Sequence, residues 1–222
     1  MGDRPDYVEE QDVHAPVDSG NLLPVVKLMQ ALSPELDKAD ERYVEGAEVG
    51  DIVVVDGADK YVFGGEAGIR IIPIIVRKQW VEWVPRKMGG GFVAAYNTKE
   101  EMEAGVTKGN EVQVSIDYLC VTPELVEGEL KPVVLQFNSA TKLGVARSFA
   151  EMIKKFRTMI GVSYIVHSVR KTNRQRQVYY NFGIRHEGWV QKELYTTVQA
   201  IQAENQGFFL SLNTTQDAAS EL

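Results

Sequence analysis

The chain has 222 residues, a formal net charge of −7, 44% hydrophobic and 25% charged residues, and one cysteine. That length holds one good core with embellishments rather than two full domains, and the lone Cys120 excludes an intramolecular disulfide scaffold. The longest apolar run, 71–76, contains Pro73 and is far too short to span a bilayer, and the first twenty residues are acidic rather than leader-like, so the expected address is the cytoplasm with no membrane partner.

Residues 1–20 read as a disordered acidic arm, followed by an N-terminal β extension over 21–66. Within it, 22–32 fits both a helix (Val25, Leu28, Met29, Leu32) and a strand (Val26, Leu28, Gln30, Leu32), with the strand preferred. A charged connector, 33–50, leads to the β-branched run Ile52-Val53-Val54-Val55, closed by Asp56-Gly57. Residues 69–84 are a long β-rich segment in which Pro73 implies an edge, bend or bulge. Met88-Gly89-Gly90-Gly91 then breaks the chain before a short strand at 92–96. Residues 111–122 alternate, with Val112, Val114, Ile116 and Tyr118 on one face and Gln113, Ser115 and Asp117 on the other. A loop at 123–130 joins them to a strand at 131–138.

One strong helix follows at 142–160, capped by Ser139 or Thr141 and stopped by Gly161, with Ala146, Phe149, Ile153, Phe156 and Ile160 as its apolar stripe. Strands at 162–171 and 177–185 flank a polar connection, a helix spans 190–204, and 207–222 is a polar tail. From residue 69 the order is three strands, a helix, two strands and an appended helix. That order predicts a mainly β (α+β) fold: an OB-like five-stranded β-barrel over 67–206 with its helix between strands 3 and 4.

The net charge conceals two basic stretches. Cations against acids run five to sixteen over 1–66, five to one over 67–98, two to eight over 99–130, twelve to two over 131–192, and none to four over 193–222. Both basic stretches are rich in rings. The first contains Arg77, Lys78, Trp80, Trp83, Arg86 and Lys87 beside the glycine triplet, and the second contains Arg170, Lys171, Arg174 and Arg176 with Tyr179, Tyr180 and Phe182 on the returning strand. Cations track phosphates while rings stack bases, so this pattern points to single-stranded nucleic acid. The helix cations Arg147, Lys154, Lys155 and Arg157 read first as a solvated face.

Two other readings stand beside it. Asp117 with Glu129-Leu130-Lys131 has the form of a Mg²⁺-dependent nuclease site, a short pattern that chance also produces. A structural or partner-binding protein whose basic patches meet an acidic protein surface is the third. His14, His167, His186 and Cys120 lack metal-ligand spacing, and the glycine stretches lack phosphate-loop and dinucleotide spacing, so no cofactor is expected.

The blocks 26–35, 43–52, 81–91 and 139–149 resemble a family of bacteriophage proteins from replication and recombination gene blocks, associated with single-stranded DNA binding. The resemblance covers most of 22–160. It implies non-enzymatic, largely sequence-independent single-strand binding in the host cytoplasm, alone or as a homo-oligomer. Phage replicative single-strand binders commonly end in a strongly acidic tail that recruits polymerase and helicase. Here residues 217–222 carry only Asp217 and Glu221, which leaves the acidic arm 1–20 as the alternative recruiter of replication proteins.

Overall fold

β-branched runs open the fold: Val25–Leu28 (β1) pairs antiparallel with Ile52–Asp56 (β2), which turns through Gly57 (φ +59°) into Asp59–Phe63 (β3). The turn has two residues, and a left-handed first position is what such a hairpin requires. The structure is a computed structural model and describes residues 23–205. The remaining strands are Ile69–Trp83 (β4), Phe92–Tyr96 (β5), Glu111–Thr122 (β6), Lys131–Phe137 (β7), Val162–Thr172 (β8) and Val178–Trp189 (β9). Helix α1 spans Lys99–Gly105, α2 Ala140–Phe156 and α3 Lys192–Glu204.

One curled sheet carries them in the order β3-β2-β1-β7-β6-β4-β8-β9, with β5 on β4. All pairings are antiparallel except β1 with β7, where Val25 faces Val134 and Val26 faces Leu135. β4 makes the curl possible. Its first residues, Ile69 to Ile71, pair with β8, and from Ile72 onward it pairs with β6 on its other edge. The register slips between Pro73 and Ile75, a bulge at the proline. The carbonyl of Ile74, left without a ladder partner there, accepts from Gln202 Nε2 of α3 at 2.6 Å.

The concave face holds the main core. Phe149 of α2 is fully buried between Tyr118 (4.7 Å) and Tyr164 (4.9 Å), and Val26, Leu28, Ile52, Val54, Leu135, Phe137 and Val166 surround them. Burial pushes the Tyr118 and Tyr164 hydroxyls up to about 12. On the convex face, α3 covers Ile72, Ile74, Leu119, Val121 and Val134 through Val198 and Ile201. Met29, Val44 and Val53 form a third cluster under the connector after β1.

The mainly β class agrees with the sequence reading, but from residue 69 the structure adds α1 to the order read, and five strands are too few. β1–β3 belong to the same sheet and pack into the same core as the later strands. α2 ends at Phe156, not 160, because Arg157 turns left-handed (φ +56°). Ser139 is its N-cap, its Oγ accepting from Lys142 N–H. On β6 the face carrying Gln113, Ser115 and Asp117 has Ser115 and Asp117 buried. The arm 1–20 and tail 207–222 lie outside the described residues. No helix of the described residues is long and apolar enough to cross a membrane.

Candidate nucleic-acid interface

The first basic stretch is a β-hairpin. β4 and β5 pair from Trp80–Tyr96 to Trp83–Phe92, and the Val84 N–H bonds the Gly91 carbonyl at 2.8 Å across the turn. Gly89, Gly90 and Gly91 sit at φ +106°, +68° and +120°, a run of left-handed positions that residues with a Cβ avoid. Arg86, Lys87 and Met88 are exposed at the tip. Below them the Lys78 ammonium lies 4.6 Å from the Trp80 ring centroid, a cation–π contact, and Trp83 meets Phe92 edge-on at 5.9 Å. Both tryptophans are half-buried, so each keeps part of its ring at the surface.

The hairpin is braced by β5 and by the segment that follows α1. Buried Glu82 accepts from Tyr96 O–H (2.5 Å), Thr107 N–H (2.8 Å) and Asn110 Nδ2 (2.6 Å). Burial alone would raise its carboxyl, but these donors outweigh burial and lower it.

Two cations of the stretch are committed elsewhere. Arg77 lies opposite Asp117 in the β4–β6 register and bonds its Oδ2 at 2.9 Å, where Gln79 Nε2 also donates at 3.1 Å; Ser115 Oγ donates to Oδ1 at 2.7 Å. With Arg77 12% exposed and Asp117 1%, this pair is a buried cross-strand network rather than a phosphate contact. Arg70 forks onto both oxygens of Glu187 at 2.6 Å and holds that carboxyl below its usual range.

The second stretch is also a hairpin, with Arg170 opposite Tyr180 and Lys171 opposite Tyr179. Asn173 closes the turn: its N–H bonds the Gln177 carbonyl at 3.0 Å and its Oδ1 accepts from Gln177 N–H at 2.9 Å. Arg170, Lys171, Arg174 and Arg176 are exposed. The rings fare differently. Phe182 is 3% exposed, edge-on to Phe137 at 6.1 Å, with Lys142 Nζ 6.0 Å from its centroid. Burial therefore removes Phe182 from the stacking set of this conformation. Tyr180 packs over Gly50, while Tyr179 is half-buried on the opposite face.

The two hairpins do not converge on one groove. Arg70 faces Ile165 where β4 and β8 cross. From there Arg77 lies seven residues along β4, whereas Arg170 lies five residues along β8 in the opposite direction. That is about 40 Å of strand path. The basic tips project from opposite ends of the sheet.

Register also separates the nuclease residues. Asp117 faces Gln136 and Thr122 faces Lys131, so Asp117 and Lys131 are five ladder steps apart, about 17 Å. Glu129 is exposed and paired with Lys131 at 2.9 Å. Among the described residues no group of three or more His, Cys, Asp or Glu is placed to hold a metal ion.

Sequence reasoning missed the contact of Lys142 with Phe182, for which the only signal was the Ser139 cap that starts α2 beside β7.

Residues 4–207 match the family model described as Pam3 phage gp34-like protein, so the chain belongs to that family and is of bacteriophage origin. No curated protein and no solved structure matches it.

Proposed function

We propose that this phage protein binds single-stranded DNA in replication or recombination without catalysing a reaction, using its two basic hairpins as phosphate contacts at either end of the curled sheet. The observation that carries the reading is the β4–β5 hairpin: exposed Arg86 and Lys87 and a left-handed glycine turn stand above two half-accessible tryptophans, one already holding a cation over its face. Cations beside accessible rings are what a single strand needs, and stacking accepts any base.

An OB-like core is the matching fold reading. Its support is the set of pairings β4–β6, β6–β7, β4–β8 and β8–β9, with α2 between the third and fourth of those strands. β1 then occupies the free edge of β7 and enlarges the barrel. For the nuclease alternative the register offers no comparable support.

Intrinsic tryptophan fluorescence, titrated with a mixed-sequence single strand and with its duplex at two salt concentrations, tests the reading. Quenching by the single strand that weakens with salt is the expected result. No quenching, together with no shift of the oligonucleotide on a native gel, overturns it and leaves an acidic protein surface as the partner of the hairpins.

A further inference from the structure

We infer that Trp189, braced by Phe156, is a base-stacking subsite flanked by Lys154, Lys155 and Arg157, an inference that rests on the single-strand reading above. Trp189 is 69% exposed at the end of β9. It is not a loose side chain: Phe156 of α2 meets it edge-on at 5.6 Å and also contacts the His186 ring at 5.5 Å. A ring braced from behind and open in front loses little freedom when a base stacks on it.

Its surroundings are cationic. Lys155 and Arg157 flank Phe156 in sequence, Lys154 precedes them, and all three are exposed. Among the described residues no carboxylate lies within ion-pair distance of Lys154, Lys155 or Arg157. Cations in the last helical turn oppose the helix dipole, which accounts for Lys154 and Lys155. The dipole accounts for neither the exposed ring nor Arg157 itself. Arg157 occupies the left-handed position after α2, where glycine is the residue of least strain. Of the described non-glycine residues only Arg157 and Arg176 have positive φ, and both are arginines in basic patches.

Register places the subsite on the same end as the first hairpin. Trp189 faces Val162, two residues beyond the Tyr164 that faces Ile71, and β4 runs on from Ile71 in that direction toward Lys78 and Trp80. A strand leaving the β4–β5 hairpin therefore meets the Trp189 patch on its own side of the molecule.

Anisotropy of a labelled single strand of about 16 nucleotides tests this. W189A is expected to bind about tenfold more weakly, and W189F, which keeps a ring, to retain most of the affinity. R157G separates binding from folding. Relieving the left-handed arginine is expected to leave the unfolding midpoint equal or higher, while affinity falls and the salt slope flattens by about 0.7. If W189A and R157G both bind as wild type does, the subsite is wrong while single-strand binding stands. If the wild-type protein itself does not bind, the single-strand reading fails and takes the subsite with it.

Discussion

The side-chain amide of Gln30 and the backbone of Tyr180 exchange two hydrogen bonds: Gln30 Nε2 donates to the Tyr180 carbonyl at 3.0 Å, and Oε1 accepts from the Tyr180 N–H at 3.1 Å. The amide imitates a peptide unit and fastens β9, the last strand of the sheet order, to the chain just after β1. Removing it leaves two half-buried backbone groups without their partners. Q30A is expected to lose about 1–3 kcal/mol in urea unfolding. Q30E keeps an acceptor but loses the donor and faces the Tyr180 carbonyl with negative charge, so it should be at least as unstable. A Q30A protein within about 0.5 kcal/mol of wild type would show that the bridge contributes nothing.

Adjacent glycines give a matched pair beside that bridge. A Cβ at Gly65 would lie 2.3 Å from the Gly50 carbonyl oxygen and 2.9 Å from Ser168 Cβ, whereas one at Gly64 meets nothing within 4 Å. Gly65 also accepts the Ser168 N–H at 2.7 Å, so backbone cannot easily move aside. G65A is expected to cost about 1–3 kcal/mol. G64A is expected to be neutral or to gain about 0.4–1 kcal/mol by restricting the unfolded chain. Equal unfolding midpoints for the two variants would contradict this close approach.

Much of the β framework was legible because alternation and β-branching act within a strand. The run 69–84, the bulge at Pro73 and the strand 111–122 all follow from local residues. β3 was hidden because Asp56-Gly57 reads equally as an ending or as a hairpin turn, and only pairing with β2 distinguishes them. α1 did carry a local signal. Thr98 and Glu101 form a capping box, with Glu101 N–H on Thr98 Oγ1 at 3.1 Å and Thr98 N–H on Glu101 Oε2 at 3.3 Å, in a segment too polar to show an apolar stripe. Long-range placement was not legible. Composition marked both basic hairpins, but nothing local states that β4 crosses β8 at Arg70 and sends the two tips apart.

His167 gives the fold a pH dependence. It stands opposite Gly183 on β8, so close that a Cβ on that glycine would lie 2.5 Å from Nε2, and its Nδ1 is buried without a partner among the described residues. Burial lowers its pKa and the charge of Arg185 adds to the effect, with a backbone contact at Ile165 opposing. Above about 6.5 the imidazole is neutral whether folded or unfolded. Below that value the unfolded chain takes up a proton that the folded state resists, so stability falls as pH drops toward the lowered folded value. Wild type should therefore lose stability between about pH 7 and pH 5, and H167Q should lose less. Parallel stability curves for the two across that window would remove His167 as the cause.

Opposed hairpin tips make a sharper demand on DNA binding than a single groove does. If Arg86 and Lys87 touch phosphates at one end and Arg174 and Arg176 at the other, a long single strand engages both pairs and a short one only one. Each double alanine substitution should flatten the salt slope on a long strand by about 1.4, two phosphates at about 0.7 each. Because the tips lie beyond Arg77 and Arg170, more than about 40 Å of strand path separates them, and their effects on the long strand should add within about 0.5 kcal/mol. On a short strand each double substitution alone should cost little, because the strand can still occupy the other tip, while the quadruple substitution removes both sites and should cost more than the two doubles summed. Full additivity on a short strand would mean that one ligand reaches both tips at once, which the β4–β8 register forbids for a path along the sheet.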